Sequence, residues 1–294
     1  MIEIRKVTKA YDGILAVKNL SLKVQPGRIY GFLGPNGAGK TTTIRMLMNI
    51  IIPDTGSIIF NGLHQRPAAQ QIGYLPEERG LYQKISVYET LQYFAHLRSV
   101  PHPNQTIKNY LQRFGLGDRL HSKVSDLSKG NQQKLQFINT ILHDPQYIVL
   151  DEPFSGLDPL NQLTLKEILE ELKQAGKTII FSSHQMDQVE RLCDDVALIN
   201  KGELVTSGTL ANILETEGSQ QLQVTPIDPA DLEHGCFNRY ETIMKNGSLF
   251  LEIGDHKKQD IIAELNQAID LKTVRVAQLG LEEIFILLVK GSSA

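Results

Sequence analysis

The sequence predicts an α/β protein with a largely parallel sheet, followed by a small α+β domain. Short apolar stretches rich in β-branched residues alternate with helix-like stretches from residue 1 to residue 215. This composition is typical of parallel strands that are buried on both faces. The charge balance then changes, because the chain has 23 basic and 21 acidic residues up to Glu215 but 7 basic and 12 acidic residues after it. We therefore expect two domains, at residues 1–215 and 219–294.

The first domain is predicted to contain a helical insertion. Between residues 85 and 124 the apolar residues recur at spacings of three and four, which is typical of amphipathic helices. The sequence PHPN at residues 101–104 predicts a break in this stretch. We expect the helical subdomain to cover residues 85–130. The strands predicted around it lie at residues 29–33, 147–150, 178–182 and 196–199.

The second domain is predicted to follow a hinge at residues 216–219 and to contain a hairpin. Two strand-like stretches, at residues 240–245 and 248–253, flank Asn246 and Gly247, a pair that is a strong signal for a two-residue turn. The elements predicted after the hairpin are a helix at 261–269, a strand at 271–276 and a helix at 281–289. This domain contains no cluster of catalytic residue types, and its role stays open between contact with another chain, regulation and simple packing.

The composition excludes several classes of protein. Hydrophobic residues make up 41% of the 294 residues, which is enough for two buried cores and excludes a disordered chain. The formal net charge of −3 lacks the basic surplus of a protein that binds nucleic acid, and no apolar run is long enough to span a bilayer. The amino terminus lacks the apolar core of a signal peptide, so we expect a cytoplasmic protein. Cys193 and Cys236 are too isolated to predict a disulfide framework or a zinc site.

A phosphate-binding loop follows the strand at residues 29–33. The loop matches the pattern G-x-x-x-x-G-K-[ST] and opens a helix near Thr41. Its glycines allow backbone N–H groups to point at a β-phosphate, Lys40 can reach the β- and γ-phosphates, and Thr41 can bind Mg²⁺. The sequence therefore predicts binding of a nucleoside triphosphate with Mg²⁺. The predicted contacts in this loop are Gly34, Pro35, Asn36, Gly37, Ala38, Gly39, Lys40, Thr41 and Thr42.

Two carboxylates follow the apolar strand at residues 147–150. Asp151 is placed to hold the Mg²⁺ shell, and Glu152 is placed to orient or deprotonate an attacking water molecule. Together with the loop, this pair predicts hydrolysis of the triphosphate. A GTPase is excluded because that class lacks the second carboxylate and carries the guanine-reading pattern NKxD, which is absent here.

Three further segments identify a family that the chain resembles. They are LSKGNQQ at residues 127–133, SGLD at 155–158 and SSH at 182–184, all in the order of that family. From residue 1 to about residue 215 the chain resembles the ATP-binding subunit of an ABC transporter. The family's signature LSGGQ varies between members, and this chain departs from it at Lys129 and Asn131.

The resemblance implies two ATP-binding domains that face head to tail and share their sites. Ser128, Gly130 and Gln132 would then contact an ATP molecule held by the partner's phosphate-binding loop. Asp158 would couple the two sites across the dimer. For Ser128 a purely structural role as a helix cap is the alternative.

The resemblance also assigns residues within the chain's own site. His184 would contact the γ-phosphate and hold Glu152 and the water in line, and Tyr11 would stack on adenine. The family usually has a glutamine that touches Mg²⁺ where this chain has Glu77, in the sequence YLPEERGLY. A carboxylate can also bind Mg²⁺ or a metal-bound water, so we expect Glu77 in the metal shell.

The sequence favours a role in export. YLPEERGLY and LSKGNQQ resemble a bacterial export-type branch that includes sodium-extrusion ATPase subunits. We expect an ATPase that energises export through a separate integral membrane permease, paired with a second ATP-binding domain on the inner face of the membrane. The helical insertion, joined to the loop at Glu77, is the predicted surface for the permease, unless its apolar residues form only the insertion's own core.

Two alternatives place the chain outside transport. Soluble ABC proteins that act on ribosomes have two ATP-binding domains in one chain, whereas this chain has one phosphate-binding loop. DNA-maintenance ATPases have a long coiled coil between these motifs, but only 111 residues separate Lys40 from Asp151, without sustained heptads. The transported substrate and the identity of the second ATPase chain are left open by the sequence.

Overall fold

The computed structural model describes residues 1–64, 66–78, 80–216, 220–240, 242–245, 247–252 and 258–291. Contacts within the chain divide it into two compact units, Met1–Gly208 and Thr209–Ala294. This division, between residues 208 and 209, precedes the boundary predicted at residues 216–219. Residues 217–219 of that predicted boundary lie outside the described part of the chain. The predicted roles of the two domains stay predictions. Among the described helices, none is both long and apolar enough to cross a membrane.

The first unit contains a parallel and an antiparallel sheet with helices between the strands. Its strands are β1 (Ile2–Tyr11), β2 (Ile14–Val24), β3 (Ile29–Leu33), β4 (Thr55–Phe60), β5 (Ile72–Leu75), β6 (Tyr147–Asp151), β7 (Thr178–Ser183), β8 (Asp195–Asn200) and β9 (Glu203–Thr209). Its helices are α1 (Lys40–Leu47), α2 (Val87–Leu97), α3 (Pro103–Arg113), α4 (Lys129–Ile141), α5 (Pro159–Gln174) and α6 (Met186–Glu190).

The larger sheet confirms the predicted α/β class. Its strand order is β5-β6-β7-β3-β8-β9, and neighbouring strands from β5 to β8 pair in parallel. Every residue of β3, β6 and β7 is buried, as their apolar composition predicts. Because these three strands are neighbours, the segments that follow their carboxyl ends meet at one edge of the sheet. The segments are the phosphate-binding loop, the carboxylate pair and His184.

The smaller sheet is antiparallel, with strand order β2-β1-β4, and it is absent from the predictions above. Strands β1 and β2 form a hairpin in which Tyr11 pairs with Ile14. Asp12 and Gly13 make the turn with φ angles of 49° and 82°. Asp-Gly between alternating apolar residues is a hairpin signal that the sequence carries. Buried side chains of both sheets and of α1 share one core, which fixes the start of α1 after β3.

The helical insertion contains α2 and α3, separated by residues 98–102, with Pro103 as the first residue of α3. Proline is favoured at this position because the first helical N–H has no partner in the helix. Val87 and Leu91 of α2 and Ile107 and Leu111 of α3 are fully buried. Most of the predicted apolar face is therefore the insertion's own core.

The second unit contains an antiparallel sheet of strand order β11-β12-β10-β13. Its strands are β10 (Gln220–Pro226), β11 (Thr242–Lys245), β12 (Ser248–Glu252) and β13 (Leu271–Gln278), and its helices are α7 (Leu210–Thr216), α8 (Lys258–Ala268) and α9 (Leu281–Gly291). The predicted hairpin corresponds to β11 and β12, where Lys245 pairs with Ser248, although Asn246 and Ile253 lie outside the described residues. Its core side chains include Leu222, Leu249, Leu251, Ile261 and Leu265.

Candidate functional site

The loop after β3 depends on two glycines with positive φ. Gly34 has a φ of 151°, and a Cβ there would lie 2.1 Å from the carbonyl oxygen of Ile199. Gly39 has a φ of 104°, and a Cβ there would lie 2.5 Å from the carbonyl oxygen of Ala16. The loop thus passes so close to neighbouring backbone at both ends that no larger residue fits.

Lys40 is the first residue of α1 and is almost completely buried. Its Nζ donates hydrogen bonds to the carbonyl oxygens of Gly34, at 2.7 Å, and Pro35, at 3.1 Å. Burial lowers the pKa of Lys40, whereas the nearby charges of Glu152, Asp151 and Glu77 raise it. The ammonium group is therefore held inside the curve of the loop, where phosphate oxygens would be stronger acceptors than carbonyls.

Asp151 ends β6 beside the start of α1. Its Oδ1 accepts a hydrogen bond from Thr41 Oγ1 at 3.2 Å and one from Ser182 Oγ at 2.5 Å. Its Oδ2 is buried and has no hydrogen-bond partner among the described residues. A buried carboxylate oxygen without a partner, next to a threonine hydroxyl, suits a Mg²⁺ ion.

No group of three or more His, Cys, Asp or Glu side chains in the described part of the chain could hold a metal by itself. This agrees with the way Mg²⁺ binds in nucleotide sites, where phosphates and water supply most ligands and the protein supplies one or two. The donor set at Asp151 and Thr41 therefore fits a metal bound together with ATP.

Glu152 follows directly in a left-handed backbone conformation, with a φ of 50°. For a residue with a side chain this conformation costs roughly 1–2 kcal/mol, and such strain is concentrated at functional sites. The carboxylate is 12% exposed, and its Oε1 lies 2.9 Å from Nδ1 of His184. Burial raises the pKa of Glu152, and the hydrogen bond with His184 opposes that rise. The arrangement gives a carboxylate with increased basicity that an imidazole holds in place.

Ser182 begins the SSH segment, but the sequence predicts no role for it. It is fully buried at the end of β7, and its hydroxyl group donates to Asp151 Oδ1. The oxygen of this Ser182 hydroxyl group also accepts a hydrogen bond from the backbone N–H of Glu152, at 3.1 Å. One hydroxyl group therefore fixes both members of the carboxylate pair.

One pocket brings together most of the predicted nucleotide contacts. Tyr11 lies at its margin, half exposed, at the end of β1. Glu77, an exposed residue after β5, lines the same pocket, and Ala16 is a lining residue that was not predicted. The complete lining is Tyr11, Ala16, Asn36, Gly37, Ala38, Gly39, Lys40, Thr41, Thr42, Glu77 and Glu152.

The signature segment is not part of this pocket. Ser128 caps α4, because its Oγ accepts the N–H of Asn131 at 3.3 Å. Gln132 donates to the carbonyl oxygens of Val124 and Leu127, which precede α4. A Cβ at Gly130 would lie 2.8 Å from the carbonyl oxygen of Gly156, so this turn also requires glycine.

Asp158, like Ser128, caps the amino terminus of a helix. It caps α5 by accepting the N–H of Asn161 at 2.9 Å, and this hydrogen bond is the largest cause of its lowered pKa. Within one chain, the four residues predicted to act across a dimer therefore stabilise helix starts outside the nucleotide pocket.

Comparisons of the chain with a family model, with curated proteins and with solved structures all indicate the same family. A model of the family described as ABC transporter matches residues 17–155. The chain is 43% identical over 231 residues to YhaQ of Bacillus subtilis, an uncharacterized ABC transporter ATP-binding protein, covering 76% of each protein. It is 35% identical over 263 residues to Nod factor export ATP-binding protein I of Burkholderia lata, covering 86% of each. A solved structure of an ATP-binding subunit of an ABC transporter is 30% identical, with a TM-score of 0.68 over 73% of this chain and 92% of that one.

Proposed function

Because the chain belongs to the ATP-binding proteins of the ABC transporter family and is an ATP hydrolase, we propose that it energises export through a separate membrane permease. Export is supported by the similarity to Nod factor export ATP-binding protein I, which extends over 86% of this chain. The observation that carries the assignment of the site is the contact of His184 with Glu152, a residue that lines the same pocket as Lys40.

In this proposal the loop after β3 binds the phosphates of ATP. Its N–H groups and the amino terminus of α1 face an anion, and the Lys40 ammonium offsets charge on the β- and γ-phosphates. Tyr11 lines the pocket with 44% of its surface exposed, and its ring is the proposed contact for adenine. Stacking needs no hydrogen bond to the base edge.

Thr41 and Asp151 would hold Mg²⁺, and Glu77 would complete the shell directly or through water. Bound Mg²⁺ supplies positive charge that offsets the charge on the transferring phosphate. Thr41 and Asp151 are already joined by a hydrogen bond, and Glu77 lines the same pocket. The hydrogen bond between Thr41 and Asp151 and the shared pocket of Thr41 and Glu77 support this set of ligands.

Glu152 acts as the general base in the proposed mechanism. Its raised pKa brings its basicity closer to that needed to accept a proton from water. His184 keeps the carboxylate oriented through the 2.9 Å contact, and Ser182 fixes the backbone behind it. Water attack on the γ-phosphate then gives ADP and phosphate, with the proton on Glu152.

A second ATP-binding domain would complete each site. Ser128 and Gly130 lie at the start of α4, a helix of 13 residues whose amino terminus favours an anion. Because neither lines the chain's own pocket, we propose that they and Gln132 face an ATP molecule of the partner domain, with Asp158 at the same interface.

The permease would contact the helical insertion. Tyr82, which precedes the insertion, lies beside Tyr93 and Phe94 of α2, with ring centroids 5.9 Å apart for Tyr82 and Tyr93 and 5.2 Å apart for Tyr93 and Phe94. Tyr82 is 57% exposed and Tyr93 is 49% exposed. An exposed aromatic cluster five residues after Glu77 is suited to a protein contact that also reaches the metal shell. This contact would place the chain on the inner face of the membrane.

The test is fractionation of cells that express the tagged chain. We expect the wild type to sediment with membranes and to co-purify an integral membrane protein, while Tyr82→Ser with Tyr93→Ser reduces this and keeps basal ATPase activity. Leu163→Ser is the matched control, since Leu163 is 56% exposed and belongs to α5, outside the insertion. Co-purification with ribosomes or DNA in place of a membrane protein would support the non-transport alternatives. Accumulation of a compound inside cells that carry Glu152→Gln tests the export direction.

A further inference from the structure

Helix α4 carries three polar side chains on one buried face. Gln133, Gln136 and Thr140 are all at least 96% buried and follow spacings of three and four, so they lie along the same side of the helix. Gln133 Nε2 donates to the carbonyl oxygen of Pro153, whereas Thr140 Oγ1 lies 2.9 Å from the carbonyl oxygen of Gln136 in its own helix and 3.3 Å from that of Tyr74. The helix that begins at the signature segment is thus attached through Gln133 to the backbone of the segment that carries Glu152.

Gln136 makes the contact closest to Glu77. Its Nε2 donates to the carbonyl oxygens of Pro76, at 3.3 Å, and Glu78, at 3.2 Å. These carbonyls belong to the residues directly before and after Glu77. A primary amide has two hydrogens, and both are used here. One side chain of α4 therefore holds the backbone on both sides of Glu77.

The oxygen atom of the Gln136 amide is relevant to how the amide is oriented. Gln136 Oε1 is buried and has no hydrogen-bond partner among the described residues. Turning the amide over would place this oxygen against two carbonyl oxygens, so the orientation follows from the chemistry of the acceptors. The two donated hydrogen bonds account for a polar side chain at this buried position.

Glu77 itself is exposed toward the nucleotide pocket. It lines that pocket with Lys40 and Glu152, and its charge raises the pKa of Lys40. Gln136 in turn lies eight residues after Ser128, which is about 12 Å along an α-helix. Gln136, which contacts the backbone beside Glu77, and Ser128, which caps the signature helix, thus belong to the same helix.

We propose that Gln136 is a positioning residue that places the Glu77 carboxylate in the metal shell. This inference rests on the proposed role of Glu77 at the metal. By fixing the carbonyls on both sides, Gln136 restricts the directions in which the carboxylate can point.

The test uses Gln136→Met, which keeps the length of the side chain and removes the donors. The probe is Mn²⁺ with a non-hydrolysable ATP analogue, and electron paramagnetic resonance gives the dissociation constant of the metal. We expect Mn²⁺ to bind about tenfold more weakly, as found when residues that orient a metal ligand are changed. The affinity for the analogue without metal should stay unchanged. The Mg²⁺ concentration for half-maximal ATPase activity should rise in parallel.

Thr140→Val is the matched control. Thr140 is buried one turn further along α4, and its hydroxyl group lies 2.9 Å from the carbonyl oxygen of Gln136 within the helix and 3.3 Å from that of Tyr74. If Thr140→Val weakens Mn²⁺ binding as much as Gln136→Met does, general packing of α4 is responsible and the proposal is wrong. Gln136→Leu serves in the same assay if the methionine variant does not fold.

A double-mutant cycle with Glu77→Ala separates this inference from the one on which it rests. If Gln136 acts through Glu77, Gln136→Met adds no further loss in the Glu77→Ala background, whereas additive losses overturn the proposal. Unchanged Mn²⁺ binding in Glu77→Ala alone overturns both the metal role of Glu77 and this inference. Weakened binding in Glu77→Ala together with unchanged binding in Gln136→Met overturns only the positioning role.

Discussion

Ser182 donates its hydroxyl hydrogen to Asp151 Oδ1 at 2.5 Å, across the parallel pairing of β7 and β6. Asp151 and Ser182 are register partners, so the sheet itself sets this contact. The same hydroxyl oxygen accepts the N–H of Glu152, whose backbone is in a left-handed conformation. The position of the carboxylate pair therefore depends on a side chain from the next strand.

Ser182→Ala should reduce ATP hydrolysis about 10- to 100-fold, because the proposed metal ligand and the base both lose their support. The lost hydrogen bonds should also lower the free energy of unfolding by about 1–3 kcal/mol. Steady-state ATPase assays and urea denaturation measure the two effects. Ser183→Ala is the control, since Ser183 is equally buried but accepts the N–H of Gln185 on the other face of the strand. Equal losses of hydrolysis in both variants would contradict a specific role for Ser182.

Lys40→Ala should abolish productive ATP binding. Its ammonium is the cation that the loop carbonyls hold at the phosphate position, and no other lysine lies in the loop. Titration with a fluorescent ATP analogue measures the loss. Lys18→Ala, which changes an exposed lysine paired with Glu203, should bind as the wild type does. ATP turnover at the native rate in Lys40→Ala would refute the assignment of the loop.

Glu152→Gln should bind ATP but hydrolyse it at least a hundredfold more slowly, because the amide keeps the shape and loses the base. We expect the ATP-bound variant to accumulate as a dimer on size exclusion, since ATP at the proposed interface is no longer consumed. Lys40→Ala with Glu152→Gln should stay monomeric with ATP, as its loop no longer holds the phosphates. Hydrolysis at the native rate would show that another group is the base.

His184→Ala should change the pH dependence of hydrolysis. The reaction needs Glu152 ionised, and burial raises the pKa of Glu152 above its ordinary value of 4.5 while His184 counteracts this. Activity is therefore lost as the pH falls through the pKa of Glu152. Removal of His184 takes away a cause that lowers this pKa, so the acidic limb of the kcat profile should move to higher pH. A profile that only falls in height, with its acidic limb in place, would limit His184 to contacting the γ-phosphate.

Much of this architecture follows from the sequence because its signals are local. Apolar, β-branched stretches predict the buried strands β3, β6 and β7, and the chemistry of the loop is contained in consecutive residues. The antiparallel sheet, which was not predicted, also has a local signal, because Asp12 and Gly13 form a turn pair between alternating apolar residues.

The amino-acid sequence is enough to place Asp151, Glu152 and His184 at strand ends and Lys40 at the start of the helix after β3. The partners of these side chains depend on the tertiary fold. Ser182 meets Asp151, and Gln136 meets the carbonyls beside Glu77, because strand order and register bring together residues that are about 30 to 60 positions apart. Periodicity encodes which face of an element is buried, but it does not encode which other element that face will meet.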